Sequence, residues 1–223
     1  MTIDEVICRI GEVGIVPVVR AASVAEATRA VEAICAGGIP VVEITMTVPN
    51  AVSVIREVAQ QHGSKVLIGA GTVTNAKQAE QCLQAGAEFL VSPGLAISVL
   101  SAAQACAKLA IPGALTPTEL MSAQDHGARA VKIFPCGNVG GPKYLRSLKA
   151  PFPDACLIPT GGVNAGNAAD FIAAGAFALG VGADLVDTDA LRNGNLAKIT
   201  AVAQELVHAV MSARASVKVK KDC

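Results

Sequence analysis

Short apolar runs alternate with longer segments of mixed polarity along the whole chain. Eight such runs occur, and each ends in, or is directly followed by, Gly, Pro, Thr, Ser or a charged residue: GIVPVVR (14–20), PVVEITM (40–46), KVLIGAG (65–71), EFLVSPG (88–94), AIPGAL (110–115), AVKIFP (130–135), CLIPTGG (156–162) and FALGVG (177–182). Most of their positions are apolar, without strict alternation, which is typical of strands in a parallel sheet that is covered on both faces. The pattern therefore predicts eight buried parallel strands.

The segments between these runs carry helix start and stop signals. Candidate N-caps are Ser23, Asn50, Asn75, Thr116 and Asn164, and candidate stops are Gly37, Gly63, Gly86, Gly127 and Gly175. Eight strand–helix units predict an α/β fold, a single (β/α)8 TIM barrel over residues 1–223. A doubly wound open sheet is the alternative, although no GxGxxG motif follows the first run.

Both ends of the chain carry segments outside these eight units. We expect the first twelve residues to form a helix that closes the bottom of the barrel. A last amphipathic segment spans Leu196 to Ala213, and the basic end VKVKKDC (217–223) is expected to be a solvated terminus.

Composition limits the partners that the protein can have. Hydrophobic residues make up 52% of the 223 residues, and 18 basic residues balance 18 acidic ones. A neutral chain with no Trp, one Tyr and five Phe is a poor candidate for nucleic-acid binding. The acidic N-terminus and the short apolar runs predict a cytoplasmic protein that does not bind a membrane. Seven cysteines without a CxxC pair and three scattered histidines predict reduced core thiols and no metal site.

Lys132 lies in the middle of the apolar run AVKIFP. Lysine is almost never fully buried without a partner. Burial favours the neutral amine, and a neutral amine is a nucleophile towards carbonyl groups. The functional interpretation is a Schiff-base lysine. The structural alternative is a lysine at a strand end whose ammonium reaches solvent.

Glu43 is a second charge inside an apolar run. The two-residue period of a strand places Glu43, Thr45 and Thr47 on one face. If this face lines the barrel interior, Glu43 and Lys132 share a cavity as an ion pair or a proton-sharing couple. A purely structural bridge is the alternative. It is disfavoured because both residues come near the carboxyl ends of their strands, where barrels carry their active sites, and because a buried bridge stabilises poorly.

Small residues follow several of the other runs. GAGT (69–72), SPG (92–94) and PTGG (159–162) leave room for a small ligand at the carboxyl ends of their strands. PTGG and GVGA (180–183) follow the last two strands, where barrels commonly present backbone N–H groups to a phosphate. These loops are therefore candidate phosphate-binding loops.

Together these motifs resemble the class I aldolases that cleave 2-keto-3-deoxy-6-phosphogluconate (KDPG) and 4-hydroxy-2-oxoglutarate (KHG). The similarity runs from GIVPVVR through GGIPVVEITMTVPNA, IGAGTV, FLVSPG, IPGALTPTEL, VKIFP, GGPKYLRSLKAPFP and PTGGV to GVGA. The resemblance implies a lyase in which Lys132 forms the imine and Glu43 is the general acid and base. It also implies substrate contacts by Arg20, Thr47, Thr72, Pro93, Phe134 and Thr160, and phosphate contacts by Gly161, Gly162, Gly182 and Ala183.

Two positions depart from the family pattern. Thr47 stands where better-known members carry an arginine, so we expect carboxylate binding to be shared differently, with Arg20 as the candidate. Ala183 stands where relatives often carry a serine that helps to hold phosphate. Phosphorylated and unphosphorylated aldehydes therefore both stay open as products.

The resemblance further implies a homotrimer that acts on a 2-keto acid in carbohydrate metabolism of the Entner–Doudoroff type, with no cofactor except the covalent imine. Two other functions are alternatives. A phosphosugar epimerase or thiamine-phosphate-type synthase would use a carboxylate or a metal where this chain has a lysine. A non-catalytic keto-acid-binding barrel would not need both Lys132 and Glu43.

Overall fold

The computed structural model describes the backbone of residues 1–221 and the side chains of residues 1–216. Within these residues the strands are β1 Ile15–Val19, β2 Val41–Thr45, β3 Leu67–Gly71, β4 Phe89–Val91, β5 Leu109–Ile111, β6 Gly113–Ala114, β7 Val131–Ile133, β8 Leu157–Pro159 and β9 Leu179–Val181. The helices are α1 Ile3–Val13, α2 Val24–Ala36, α3 Ala51–His62, α4 Ala76–Gln84, α5 Ile97–Ala105, α6 Pro117–Asp125, α7 Pro142–Lys149, α8 Ala168–Ala173, α9 Thr188–Arg192 and α10 Leu196–Lys221.

All paired strands run parallel, as the apolar runs predicted, but they form two sheets. A curled six-stranded sheet has the order β5-β4-β3-β2-β1-β9, and a three-stranded sheet has the order β6-β7-β8. The run 110–115 contains the break between them, because Pro112 separates β5 from β6 and has no N–H to donate to a ladder. The structure therefore gives an α/β fold with a curled parallel sheet, and each predicted run holds a strand.

The two faces of the strands pack into two different cores. Val42 and Ile44 of β2 belong to a large outer core, which lies between the strands and the surrounding helices. Val41 of the same strand belongs to a smaller inner core, which also contains Phe89 and Ala130. This burial on both faces explains why the strands are apolar at most positions.

Helix α1 closes the amino end of the inner core. Val6 and Ile10 on α1 are almost completely buried and pack in the inner core with the first residues of several strands. Thr2 and Glu5 form a reciprocal capping box that starts the helix. The prediction of a helix at this end of the fold is confirmed.

The predicted helix starts are confirmed at four positions and wrong at one. Ser23, Asn75 and Thr116 each accept a backbone N–H as N-caps. Helix α3 begins directly after Asn50 as predicted, but Asn50 has a left-handed conformation (φ 55°) and its side chain makes no capping hydrogen bond. Asn164 instead bonds reciprocally with Asn167 in a turn, and α8 begins only at Ala168.

The C-terminal segment is one long helix. α10 begins at Leu196 as predicted and continues beyond Ala213 to Lys221. The prediction that 217–223 is a solvated terminus concerns side chains that lie outside the described residues. None of the described helices combines the length and the hydropathy that a membrane span requires.

The cysteines are less uniformly buried than the sequence suggested. Cys82 and Cys136 are buried and Cys35 is half-buried, and burial raises the pKa of each of these thiols to about 11. Cys8 and Cys106 are exposed, because each lies on a solvent-facing position at a helix surface or end. The prediction of core thiols is therefore wrong for these two residues.

Helix α6 offers a direct test of its cap. The Thr116 hydroxyl accepts from the Glu119 N–H, and the Glu119 carboxylate accepts from the N–H groups of Leu115 and Thr116. These backbone bonds lower the pKa of Glu119. The stabilisation that the carboxylate provides is therefore present above its ordinary pKa and is lost as the pH falls through the lowered value.

We expect Thr116→Ala to lower the free energy of unfolding by about 0.5–2 kcal/mol, because the first turn of α6 loses its acceptor. Urea unfolding at neutral pH measures the change. Thr118→Ala is the control, since Thr118 is exposed on the same turn and makes no side-chain hydrogen bond to the described residues. Equal losses in the two variants would show that the cap contributes nothing.

Candidate active site

Lys132 is held in the centre of the three-stranded sheet. On β7 it pairs with Gly113 of β6 and with Ile158 of β8. It follows Ala130 on the inner face, so its side chain extends beyond the apolar inner core towards the carboxyl ends of the strands. The residue is only 6% exposed, and its ammonium lies 5.4 Å from the centre of the Phe134 ring. The structural alternative of a lysine that reaches solvent is therefore excluded.

Glu43 faces Lys132 from the opposite sheet. It pairs with Val18 of β1 and Gly69 of β3, and it is 2% exposed. Its Oε1 atom lies 3.8 Å from the Nζ atom of Lys132, which is an ion pair but too long for a hydrogen bond. Oε1 is also buried without a hydrogen-bond partner among the described residues. A buried carboxylate oxygen without a partner in the chain indicates a place where a polar ligand binds.

The two charges share a small cavity, which we call the inner cavity. It is lined by Val16, Glu43, Val91, Ile111, Lys132, Ile158, Thr160 and Gly180. The lining is apolar apart from the ion pair and one hydroxyl. Apolar walls lower the local dielectric constant and strengthen the electrostatic interactions of both charged groups. The prediction that Glu43 and Lys132 face one cavity is confirmed.

Thr45 and Thr47 form a hydroxyl pair beside this site. The Thr45 hydroxyl donates to the carbonyl of Val19, at 3.1 Å, and lies 2.7 Å from the Thr47 hydroxyl. Because a hydroxyl has one hydrogen, Thr47 must be the donor within the pair. In this arrangement the Thr47 hydroxyl can only accept a hydrogen bond from a ligand. A carboxylate has no hydrogen to donate, so it does not bind there.

The glycine loops form a second cavity, which we call the outer cavity. It measures about 170 Å³ and is lined by Val18, Arg20, Phe134, Thr160, Gly161, Gly162, Gly182, Ala183 and Asp184. All four residues predicted to contact phosphate are thus brought together. Gly161 and Gly162 have φ values of 88° and 75°, which favour glycine strongly and which turn the backbone around the cavity.

Arg20 belongs to this outer cavity. Its guanidinium is exposed beside Gly182, and Thr47 is not among the residues that line this cavity. The structure thus places Arg20 with the candidate phosphate loops.

Thr160 connects the two cavities, because its side chain lines both of them. Its backbone N–H donates to Ile133, and its carbonyl accepts from Cys136. These bonds hold the start of the PTGG loop against β7. This shared lining residue places the two cavities next to each other.

Neither Thr72 nor Pro93 is among the described residues that line the inner or the outer cavity. Thr72 follows β3 with a φ of 56°, an uncommon conformation for a β-branched residue, and such strained residues cluster at functional sites. Pro93 is exposed, and its carbonyl lies against Gly113.

Sequence reasoning missed two residues of the site. Asp184 places a carboxylate in the outer cavity, so that Arg20 is not its only charge. Gly180 lines the inner cavity, and a Cβ atom there would lie 2.0 Å from the Thr160 hydroxyl oxygen. Asp184 directly follows the GVGA loop, and this position in the sequence indicates that it lies near the candidate phosphate-binding loops. The clash at Gly180 depends on how two neighbouring strands are placed, so no local feature of the sequence indicates it.

A larger cavity, of about 350 Å³, opens at the amino ends of β3 and β4. It is lined by Met1, Ala59, Gly63, Ser64, Val66, Leu67, Ile68, Gly86 and Glu88. Its one charged side chain, Glu88, already pairs with Lys108 and the N-terminal amine. The inner cavity is the better candidate active site despite its smaller size, because it contains the buried charges of Lys132 and Glu43.

Comparison with known proteins agrees with this geometry. The family described as KDPG and KHG aldolase matches residues 5–202. The chain is 39% identical over 193 residues to the 2-dehydro-3-deoxy-phosphogluconate aldolase of Dickeya dadantii, covering 86% of this chain and 90% of that protein. It is 37% identical to the KHG/KDPG aldolase of Escherichia coli K12, with the same coverage of both chains.

A solved structure gives the same picture. It is the KDPG aldolase of Legionella pneumophila with pyruvate captured as a covalent carbinolamine intermediate. It is 30% identical, with a TM-score of 0.84, and the match covers 90% of this chain and 97% of that one. These matches favour the aldolase over the epimerase, synthase and non-catalytic alternatives. With relatives above 30% identity that span most of both chains, the protein belongs to the KDPG and KHG aldolase family and is a class I aldolase, a lyase.

Proposed function

We propose that the protein cleaves 2-keto acids through an imine on Lys132. The substrates proposed are KDPG, which gives pyruvate and glyceraldehyde 3-phosphate, and KHG, which gives pyruvate and glyoxylate. The observation that carries the proposal is the buried pair of Lys132 and Glu43, with 3.8 Å between Nζ and Oε1. The names of the D. dadantii and E. coli relatives support this choice of substrates.

The chemistry follows from the groups in the inner cavity. The neutral amine of Lys132 attacks the C2 carbonyl, and loss of water from the carbinolamine gives a protonated imine. Glu43, through a water molecule, moves protons during this dehydration and then takes the proton of the C4 hydroxyl while the C3–C4 bond breaks. The imine accepts the electron pair as an enamine. Reprotonation at C3 and hydrolysis release pyruvate and regenerate Lys132.

In this proposal the protonated imine is the electron sink, so the reaction needs neither a metal nor another cofactor. By the family resemblance, Thr72 lies beside the pyruvate moiety of the substrate, and Pro93 and Phe134 form apolar walls. The distal end of the substrate extends past Thr160 into the outer cavity, where Arg20 and the glycine loops bind a phosphate.

We also propose that the two sheets close into a single (β/α)8 barrel over the whole chain. A parallel bridge between Thr160 and Gly180, which brings β8 beside β9, supports closure at one seam. At the other seam β5 and β6 are separated only by Pro112. A homotrimer in the cytoplasm, without nucleic-acid or membrane partners, completes the proposal and rests on the family resemblance and the composition.

We expect borohydride to inactivate the protein in the presence of pyruvate and to add one pyruvate-derived mass. Lys132→Ala should abolish the adduct, because it removes the amine that forms the imine. Intact-protein mass spectrometry measures both results. Lys77→Ala, which removes an exposed lysine on α4, should be trapped like the native protein. An undiminished adduct in Lys132→Ala would assign the imine to another residue.

We expect Glu43→Gln to fold and bind pyruvate but to lose about 10²–10⁴-fold in kcat, the usual contribution of general acid–base catalysis. The amide keeps the shape of the side chain and cannot take up the C4 hydroxyl proton. Steady-state kinetics with KHG measure the loss, and Glu80→Gln, at an exposed position on α4, is the control. Near-native turnover of Glu43→Gln would reduce Glu43 to a structural partner of the lysine.

We expect Ala183→Ser to improve phosphorylated substrates selectively, because it adds a hydroxyl donor to the outer cavity. A hydrogen bond to a charged group contributes about 1.5–3 kcal/mol, roughly ten- to more than a hundredfold in affinity. The measurement is the ratio of kcat/KM for KDPG to kcat/KM for KHG in both proteins. KHG has no phosphate and serves as the internal control. If the ratio does not rise, the phosphate is not held at position 183.

A further inference from the structure

Gly71, the last residue of β3, lies directly against the carboxylate of Glu43. A Cβ atom at position 71 would lie 1.8 Å from Oε1, 2.4 Å from Cδ and 2.5 Å from Cγ of Glu43. Cβ atoms essentially never approach another heavy atom below 3.0 Å. Any side chain at position 71 would therefore force the carboxylate to move.

Backbone conformation does not explain this glycine. Gly71 is in a strand, and its φ is not in the left-handed region, unlike that of Gly161 or Gly162. Its carbonyl accepts an ordinary hydrogen bond from the N–H of Met46. An alanine fits such a backbone without strain. The distinguishing feature of Gly71 is thus the space that its missing side chain leaves beside its Cα atom.

The carboxylate that fills this space has no other anchor. Oε1 of Glu43 has no hydrogen-bond partner among the described residues, and its nearest charge is the Lys132 ammonium at 3.8 Å. The attraction between the two groups is balanced only by packing. Packing against Gly71 is therefore one of the few contacts that set the distance between Glu43 and Lys132.

We propose that Gly71 is a positioning residue for the aldolase reaction, because its missing side chain lets the Glu43 carboxylate lie where it can exchange protons with the substrate on Lys132. The inference rests on the acid–base function proposed above for Glu43. A Cβ atom at position 71 would displace Oε1 by about 1 Å or more, either onto Lys132 or away from it. A misplacement of about 1 Å can cost on the order of 10²-fold in rate.

The test is a double-mutant cycle with Gly71→Ala and Glu43→Ala, with kcat and KM for KHG measured in all four proteins. We expect Gly71→Ala alone to lower kcat by about 10²-fold with a smaller change in KM. In the Glu43→Ala background the same substitution should change kcat by about twofold or less, because Cγ, Cδ and Oε1 are absent. If Gly71→Ala alone does not fold, the double variant should still fold, since the three atoms nearest to the added Cβ atom are absent from it.

Gly11→Ala is the control. Gly11 lies on α1, which closes the amino end of the inner core, and a Cβ atom there would lie 2.8 Å from the Phe177 ring. This variant should lose stability, and its effect on kcat should be the same in both Glu43 backgrounds, because it lies at the opposite end of the core from Glu43.

Three outcomes would contradict the proposal. An equal loss of kcat for Gly71→Ala in both Glu43 backgrounds would make Gly71 merely structural, and so would a double variant that fails to fold. Native turnover of Gly71→Ala, when Glu43→Gln has lost turnover, would overturn the positioning inference and leave the proposed function intact. Native turnover of Glu43→Gln would instead overturn the acid–base function itself.

Discussion

The buried ion pair between Lys132 and Glu43 is the interaction around which the site is built. Two charges are removed from water in a cavity with apolar walls, where they attract each other without a hydrogen bond, at 3.8 Å. Such a pair stabilises a fold poorly, because desolvation of the charges offsets much of their attraction. In the proposed mechanism its value lies in its chemistry, since an amine and a nearby carboxylate that can exchange protons are the two groups that imine formation and proton transfer require.

The inner face of the strands is apolar towards their amino ends and carries the charged residues of the site towards their carboxyl ends. Its amino-terminal part is an apolar core with Val41, Phe89 and Ala130, and α1 closes it from below. Two residues further along the same strands, Val41 and Ala130 are succeeded by Glu43 and Lys132. The apolar layer therefore holds the strands in register, and the register positions the charges.

The outer cavity combines backbone and side-chain groups of opposite character. The backbone of its glycine loops needs no particular side chain in order to turn N–H groups towards an anion. Its side chains combine the cation of Arg20 with the carboxylate of Asp184, and they lack a hydroxyl at position 183. Thr47, which is outside this cavity, is hydrogen-bonded to Thr45. Differences in substrate preference within the family are thus expected to arise at the ends of the substrate, away from the imine.

The sequence by itself determined the parallel strands, three of the helix caps and the two charges of the site. Lys132 and Glu43 were identifiable because a charge inside a buried strand needs a partner, and strand periodicity showed which face each one occupied. The helix start predicted at Asn164 is wrong because the side chain of this asparagine accepts a hydrogen bond within a turn, which is an alternative local conformation for asparagine. Only the tertiary structure placed Arg20 beside the glycine loops, Asp184 in the same cavity and Gly71 against Glu43. These contacts join residues from different strands, and their distances depend on the register and curvature of the sheet, which no local pattern of residues encodes.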